Sequence, residues 1–117
     1  MNLMPARRCP TECQLSRSNR PWHCIVSLRI VTEDGMVLPQ PRRLEFGNPI
    51  YSKSLVTERI RRAQCAILNP NTPSAFFLDS PPDTLEAKAL SFSSNFVCLE
   101  ISGSDVEDLS FVDLPGA

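Results

Sequence analysis

The sequence predicts an α/β domain, and three features carry that prediction. Residues 24–31 alternate like a half-buried strand, residues 54–69 repeat at helical period, and two apolar runs over 95–101 and 109–112 return the chain to strand. At 117 residues and 42% apolar composition the chain suits one small domain with a single core, so one unit spanning 1–117 is expected.

Cys24, Val26, Leu28 and Ile30 fall on one side of the first strand, and Ser27 and Arg29 on the other. Glu33, Asp34 and Gly35 then suit a tight turn. A return strand follows, through residues 36–38 or 43–46, and Pro39 and Pro41 confine it to a sheet edge. In the helical segment Val56, Ile60, Ala63 and Ile67 share a face, giving an amphipathic helix of about four turns. Ser54 is placed to cap its start and Asn69-Pro70 to end it. Arg59, Arg61 and Arg62 lie off the apolar face and read as a solvated surface near the acidic half of the chain. They have no aromatic interleaving to suggest nucleic acid. Residues 69–74 and 80–82 are loop by their Asn, Pro and Ser content, and a short helix is possible over 83–89. The last third reads as a hairpin of two strands joined by the polar loop 102–108, with Val97, Leu99 and Ile101 on one apolar face. The second of these strands lacks alternation, as expected where both faces are covered.

Net charge is −1 but unevenly spread. Residues 1–62 carry 11 basic and 5 acidic groups and residues 63–117 carry 1 and 8, so +6 faces −7, which suits two halves pairing across a fold. Five cysteines at irregular spacing, with no signal-peptide pattern, point to a reducing, cytoplasmic setting and to buried small hydrophobes. Zinc binding by Cys9, Cys13, His23 and Cys24 is disfavoured because adjacent strand residues point to opposite faces. Trp22 and His23 read as the anchor of a strand start. The acidic cluster Asp105, Glu107 and Asp108 lacks the spacing of a calcium loop and reads as a solvated tip. No apolar stretch approaches the ~20 residues of a membrane span.

The richest motif closes the chain. An apolar strand runs into Asp113, Leu114, Pro115 and Gly116. An Asp leaving a buried strand three residues before a Gly is the arrangement by which P-loop NTPases reach a nucleotide-bound magnesium and a terminal phosphate. The carboxylate supplies a hard oxygen through water, and the Gly leaves its N–H open to the phosphate.

Residues 91–101 and 109–116 resemble the approach to the third nucleotide motif of dynamin-type large GTPases, in particular the divergent dynamin-like proteins of fungi. Arg8, Cys9, Pro10, Thr11, Glu12, Cys13, Gln14 and Leu15 are similar to the stretch after the first switch of that family, where an Arg-x-Pro element leads into a strand. The helix over 56–68 also stands where the family has one. The resemblance implies a partial P-loop GTPase sheet of dynamin type, with flanking helices and without the phosphate-loop strand, which would leave one sheet edge uncovered. In an intact parent it implies GTP hydrolysis with Mg2+, coupled to self-assembly and to peripheral membrane contact through other regions. Asp113 would hold the magnesium through water, Gly116 would donate its N–H to the γ-phosphate, and Leu114 and Pro115 would shape the second switch. Arg8 and Pro10 would stand behind the first switch.

The departures are specific. No Gly-x-x-x-x-Gly-Lys-Ser/Thr and no guanine-reading Thr/Asn-Lys-x-Asp occurs, and Arg7 occupies the place of the switch threonine. Thr11 follows Pro10 and is not assigned that role. The chain is therefore expected to be a fragment lying between the first and third motifs, with little or no hydrolysis of its own. The alternative is a non-catalytic interaction module derived from such a domain.

Overall fold

The computed structural model describes residues 9–79, 93–104 and 109–113. Their elements run β1 (Thr11–Arg17), β2 (His23–Glu33), β3 (Met36–Glu45), α1 (Val56–Leu68), α2 (Phe76–Asp79), β4 (Phe96–Gly103) and β5 (Leu109–Asp113). The strands form one mixed sheet in the order β3-β2-β4-β1-β5. β1 and β4 are parallel, while β1–β5, β2–β3 and β2–β4 are antiparallel. The short helix expected over 83–89 and the acidic cluster after Ser104 lie outside the described residues.

The β2–β3 turn is built as the sequence suggests. Asp34 and Gly35 both adopt positive φ, 53° and 79°, which gives a two-residue loop whose twist matches the strands it joins. β3 is one continuous strand at the sheet edge. Register runs from Ile30 opposite Arg42 to Thr32 opposite Val37, so residues 38–41 bulge against Val31 alone. Pro39 and Pro41 lie in that bulge, where no ladder needs their missing N–H groups.

Cys24, Val26 and Leu28 of β2, Val97 and Leu99 of β4, and Cys13 of β1 form the buried face on which α1 packs through Ala63, Ala66 and Ile67. The small α1 residues let the helix approach closely, and Phe46, Ile50 and Phe77 close the margins of the core. Ser27, expected on an open face, is fully buried. It sits in register between Glu45 and Cys98, whose neighbouring chains overtop a side chain of its size.

α1 begins differently from the expectation. The chain enters it through a 3₁₀ turn, Lys53–Leu55, and the N-cap is Leu55 without a side-chain cap. The Leu55 and Val56 N–H groups donate to the carbonyls of Ser52 and Lys53, so the turn itself satisfies them. Ser54 Oγ instead lies 2.9 Å from Ser52 Oγ. Asn69 does end the helix, donating Nδ2 to the Cys65 carbonyl at 2.8 Å.

The arginines of α1 are not merely a solvated face. Arg59 Nη1 donates to the Phe46 and Asn48 carbonyls at 3.1 and 3.0 Å, and Arg62 Nη1 to the Phe77 carbonyl at 3.0 Å. Arg62 also bonds Glu58 one turn earlier, at 2.8 Å. These side chains fasten the loop after β3 and helix α2 to α1. Between the two charge halves, Arg43 pairs with Glu100 across the sheet. Arg42–Glu33, at 2.6 Å, stays within the basic half.

The expected hairpin of the last two strands does not form. β1 lies between β4 and β5 and pairs with both. To skip one strand the connecting loop has to step only about 10 Å, two inter-strand spacings. The insertion satisfies both edges of β1 and extends the helix-facing core with Cys13 and Leu15. The outermost position passes to β5, so the gain lies in the core contacts of β1 rather than in the number of paired edges.

Two positions carry polar closures that a substitution would break. Asn95 Oδ1 accepts the N–H groups of Val31 and Thr32 at 2.7 and 2.9 Å, while Nδ2 donates to the Thr32 carbonyl at 3.2 Å, completing the ladder where β2 outruns β4. Gly47 has φ of +82°, and a Cβ there would run into the Arg59 guanidinium. Gly47→Ala should cost roughly 1–3 kcal/mol, the toll of a non-glycine residue in the left-handed region plus displacement of that guanidinium. In urea denaturation the midpoint falls while the slope is unchanged.

Candidate functional site

The structure pairs the first described strand with the last. In the antiparallel β1–β5 pair, Thr11 at the start of β1 stands opposite Asp113 at the end of β5. Pro10 immediately precedes β1, and its carbonyl accepts the Val97 N–H at 3.1 Å, tying the entry of β1 to the entry of β4. Proline suits this position because it enters the strand before a ladder N–H is required. Pro10 and Asp113, far apart in sequence, thus become backbone neighbours. Arg8, Leu114, Pro115 and Gly116 lie outside the described residues, so the geometry reaches the motif only at the backbone of its first member.

Thr11 is 5% exposed, and its Oγ1 accepts a hydrogen bond from Gln64 Nε2 of α1 at 3.3 Å. Its hydroxyl thus joins β1 to the helix. Cys9, two residues earlier, is buried at 1% exposure.

All five cysteines are free and buried. Burial pushes the Cys9 thiol up to about 12, with the nearby Cys65 adding to the rise. Cys24 is pushed up to about 11 by burial first and by Cys13 second. Cys98 also reaches about 11, through burial and then its hydrogen bond to Glu12, where Sγ donates to Oε1 at 3.4 Å. A thiol held protonated this firmly is a small hydrophobe rather than a nucleophile. His23 and Cys24 take opposite faces of β2, and His23 Nδ1 lies 3.0 Å from the Pro21 carbonyl. Among the described residues no group of three or more metal-ligating side chains converges. Trp22 packs over Gly103 at the far end of the sheet, with Lys53 Nζ 5.7 Å from its ring centroid, so it does anchor the start of β2.

A groove of about 880 Å³ was not foreseen. Leu28, Ile30, Leu44, Ile67, Thr72 and Asn95 are among the residues that line it. Its lining includes residues 70–74, the Pro- and Asn-rich break after α1, together with Glu33, Asp34 and Gly35 of the β2–β3 turn. No described helix is long and apolar enough to cross a membrane.

The chain matches no protein-family model, and no curated protein matches it significantly.

The thiol environments set a pH dependence. Folded-state pKa values near 11 to 12 lie above the unfolded value of about 9, so the folded state keeps protons that the unfolded chain loses. Stability from this source is complete below pH 9 and is lost as pH rises towards 12. At pH 8 a thiol reagent such as DTNB should find no fast-reacting cysteine in the native protein and all five after denaturation. A rapid native stoichiometry of one or more would contradict the burial.

Proposed function

We propose that this chain supplies one wall of a dynamin-like GTPase nucleotide site, formed where β5 ends beside the entry of β1. The antiparallel pairing of Thr11 with Asp113 supports this reading, because it sets the segment that resembles the region after the first switch against the segment that resembles the third nucleotide motif. A second support is that among the described residues β5 is the outermost strand of the sheet, the side on which the family would place the phosphate-loop strand. The β1–β5 neighbourhood replaces the hairpin expected from sequence and does so without moving Asp113 from a strand end.

In this reading Asp113 holds magnesium through water, Leu114 and Pro115 shape the second switch, and Gly116 offers its N–H to the γ-phosphate. Arg8 and Pro10 brace the first switch. A carboxylate oxygen suits a hard cation, whereas the Thr11 hydroxyl is already taken by Gln64, so Asp113 and phosphate oxygens would carry the metal. Magnesium there would neutralise charge on the phosphates. The chain itself has neither a phosphate-cradling loop with its lysine nor a guanine-reading motif. It therefore binds weakly, does not distinguish purine bases and does not turn over.

The test is amide NMR of the full chain during titration with GTP, with and without magnesium. Magnesium-dependent shifts should centre on residues 113–116, be matched by ATP, and weaken about tenfold or more in Asp113→Ala, a loss of about 1.4 kcal/mol or more. No phosphate should be released. Absence of any magnesium-dependent response sinks this reading and favours an interaction module of the same descent. Measurable hydrolysis would refute the claim that the chain lacks catalytic parts.

A further inference from the structure

Neither the core nor the proposed nucleotide wall uses the outer edge of β3. Its backbone direction follows from two observations. The Phe46 N–H donates to the Val26 carbonyl at 2.8 Å, and Cys24 exchanges both of its backbone bonds with Ile50 at 2.8 Å, so the even-numbered residues of β2 aim their N–H and C=O groups to this side. Antiparallel alternation then turns Arg42 and Leu44 inward to β2 and leaves the N–H and C=O groups of Arg43 and Glu45 pointing out of the sheet. Among the described residues no strand lies beyond them. Leu44, between the two, is 44% exposed.

We propose that this edge pairs with the same edge of a second copy of the chain, antiparallel about a two-fold axis at Leu44, with each Arg43 opposite Glu45 of the other copy. Backbone, charge and apolar contact agree on this one register. The outward N–H and C=O groups of Arg43 meet those of Glu45 of the second copy as a hydrogen-bonded pair, and the reciprocal pair forms on the other side of the axis. Opposite charges face each other in both pairs, and the two Leu44 side chains meet in the closer, non-hydrogen-bonded position between them. Arg43 already bonds both Glu45 and Glu100 of its own chain, so its guanidinium is held beside carboxylates and a second Glu45 extends that cluster. A shift of one residue would place Arg43 against Leu44 and lose all three terms.

The bulge carrying Pro39 and Pro41 stops the pairing at Arg42, which faces Phe46 of the other copy, so the contact covers only residues 42–46. An interface this short falls well below the ~1,200 Å² of a stable complex, so the dimer is weak. Because the contact is isologous it closes at two copies instead of growing into a fibre.

The experiment is sedimentation equilibrium of the full chain up to about 1 mM, where a weak dimer becomes populated. Glu45→Arg, at a position that is exposed, should weaken association roughly tenfold by setting like charges opposite each other twice. The double exchange Arg43→Glu with Glu45→Arg should restore it. Leu44→Cys gives a direct readout, since the five native thiols are buried. On mild oxidation it should form a disulfide-linked dimer, whereas Met36→Cys, at a position 72% exposed on the same strand, should not. A protein that stays monomeric at the highest concentration overturns the proposal. So does a dimer indifferent to Glu45→Arg, or one that crosslinks equally fast through Met36→Cys.

Discussion

The pairing of β1 with β4 is the constraint on which the rest of the structure depends. It is the one parallel ladder in the sheet, and it joins residues 86 positions apart, as between Ser16 and Ser102. A parallel ladder cannot be made by a tight turn, so everything between these strands, including the β2–β3 hairpin and α1, must serve as the crossover. β4 is thereby fixed in the middle of the sheet with β2 on its other side, and β1 keeps a second edge, which β5 fills. The meeting of Thr11 and Asp113 is a consequence of that vacancy.

The helix layer is held to this sheet by two kinds of force. Ala63, Ala66 and Ile67 bury apolar surface against β2 and β4, while Arg59 and Arg62 reach past the core to the carbonyls of the loop after β3 and of α2. Hydrogen bonds from a charged donor are about twice as strong as neutral ones, and here they add to the apolar contacts that Phe46 and Phe77 make with the core. Cys9, Cys13, Cys24 and Cys65 belong to the same core, whereas Cys98 alternates with Val97 and Leu99 and takes the other face of β4. Burial in that core raises the pKa of Cys9 and Cys24.

Local signals were legible wherever one element decides its own fate. The Asp34-Gly35 turn, the alternation of Cys24, Val26 and Leu28, the helical period ending at Asn69 and the edge placement imposed by Pro39 and Pro41 all appear where the pattern put them. The errors share a cause. Ser54 is a good cap by type, but a preceding 3₁₀ turn took over its task. The α1 arginines look solvated by helical position, yet their partners are carbonyls brought in from other segments. Nearness in sequence made β4 and β5 a hairpin, whereas the strand that separates them comes from the opposite end of the chain. Of the site, Pro10 and Asp113 were named from residue type, and their juxtaposition was not foreseeable from either segment alone.

The sequence by itself determined the α/β class, the apolar faces and the chemistry available at each end of the chain, because side-chain period and residue type act over a few neighbours. Tertiary structure decided which strands touch, which arginines are occupied and which edge remains open. Those outcomes depend on pairing between segments far apart in the chain, which side-chain period and residue type, acting over a few neighbours, do not specify.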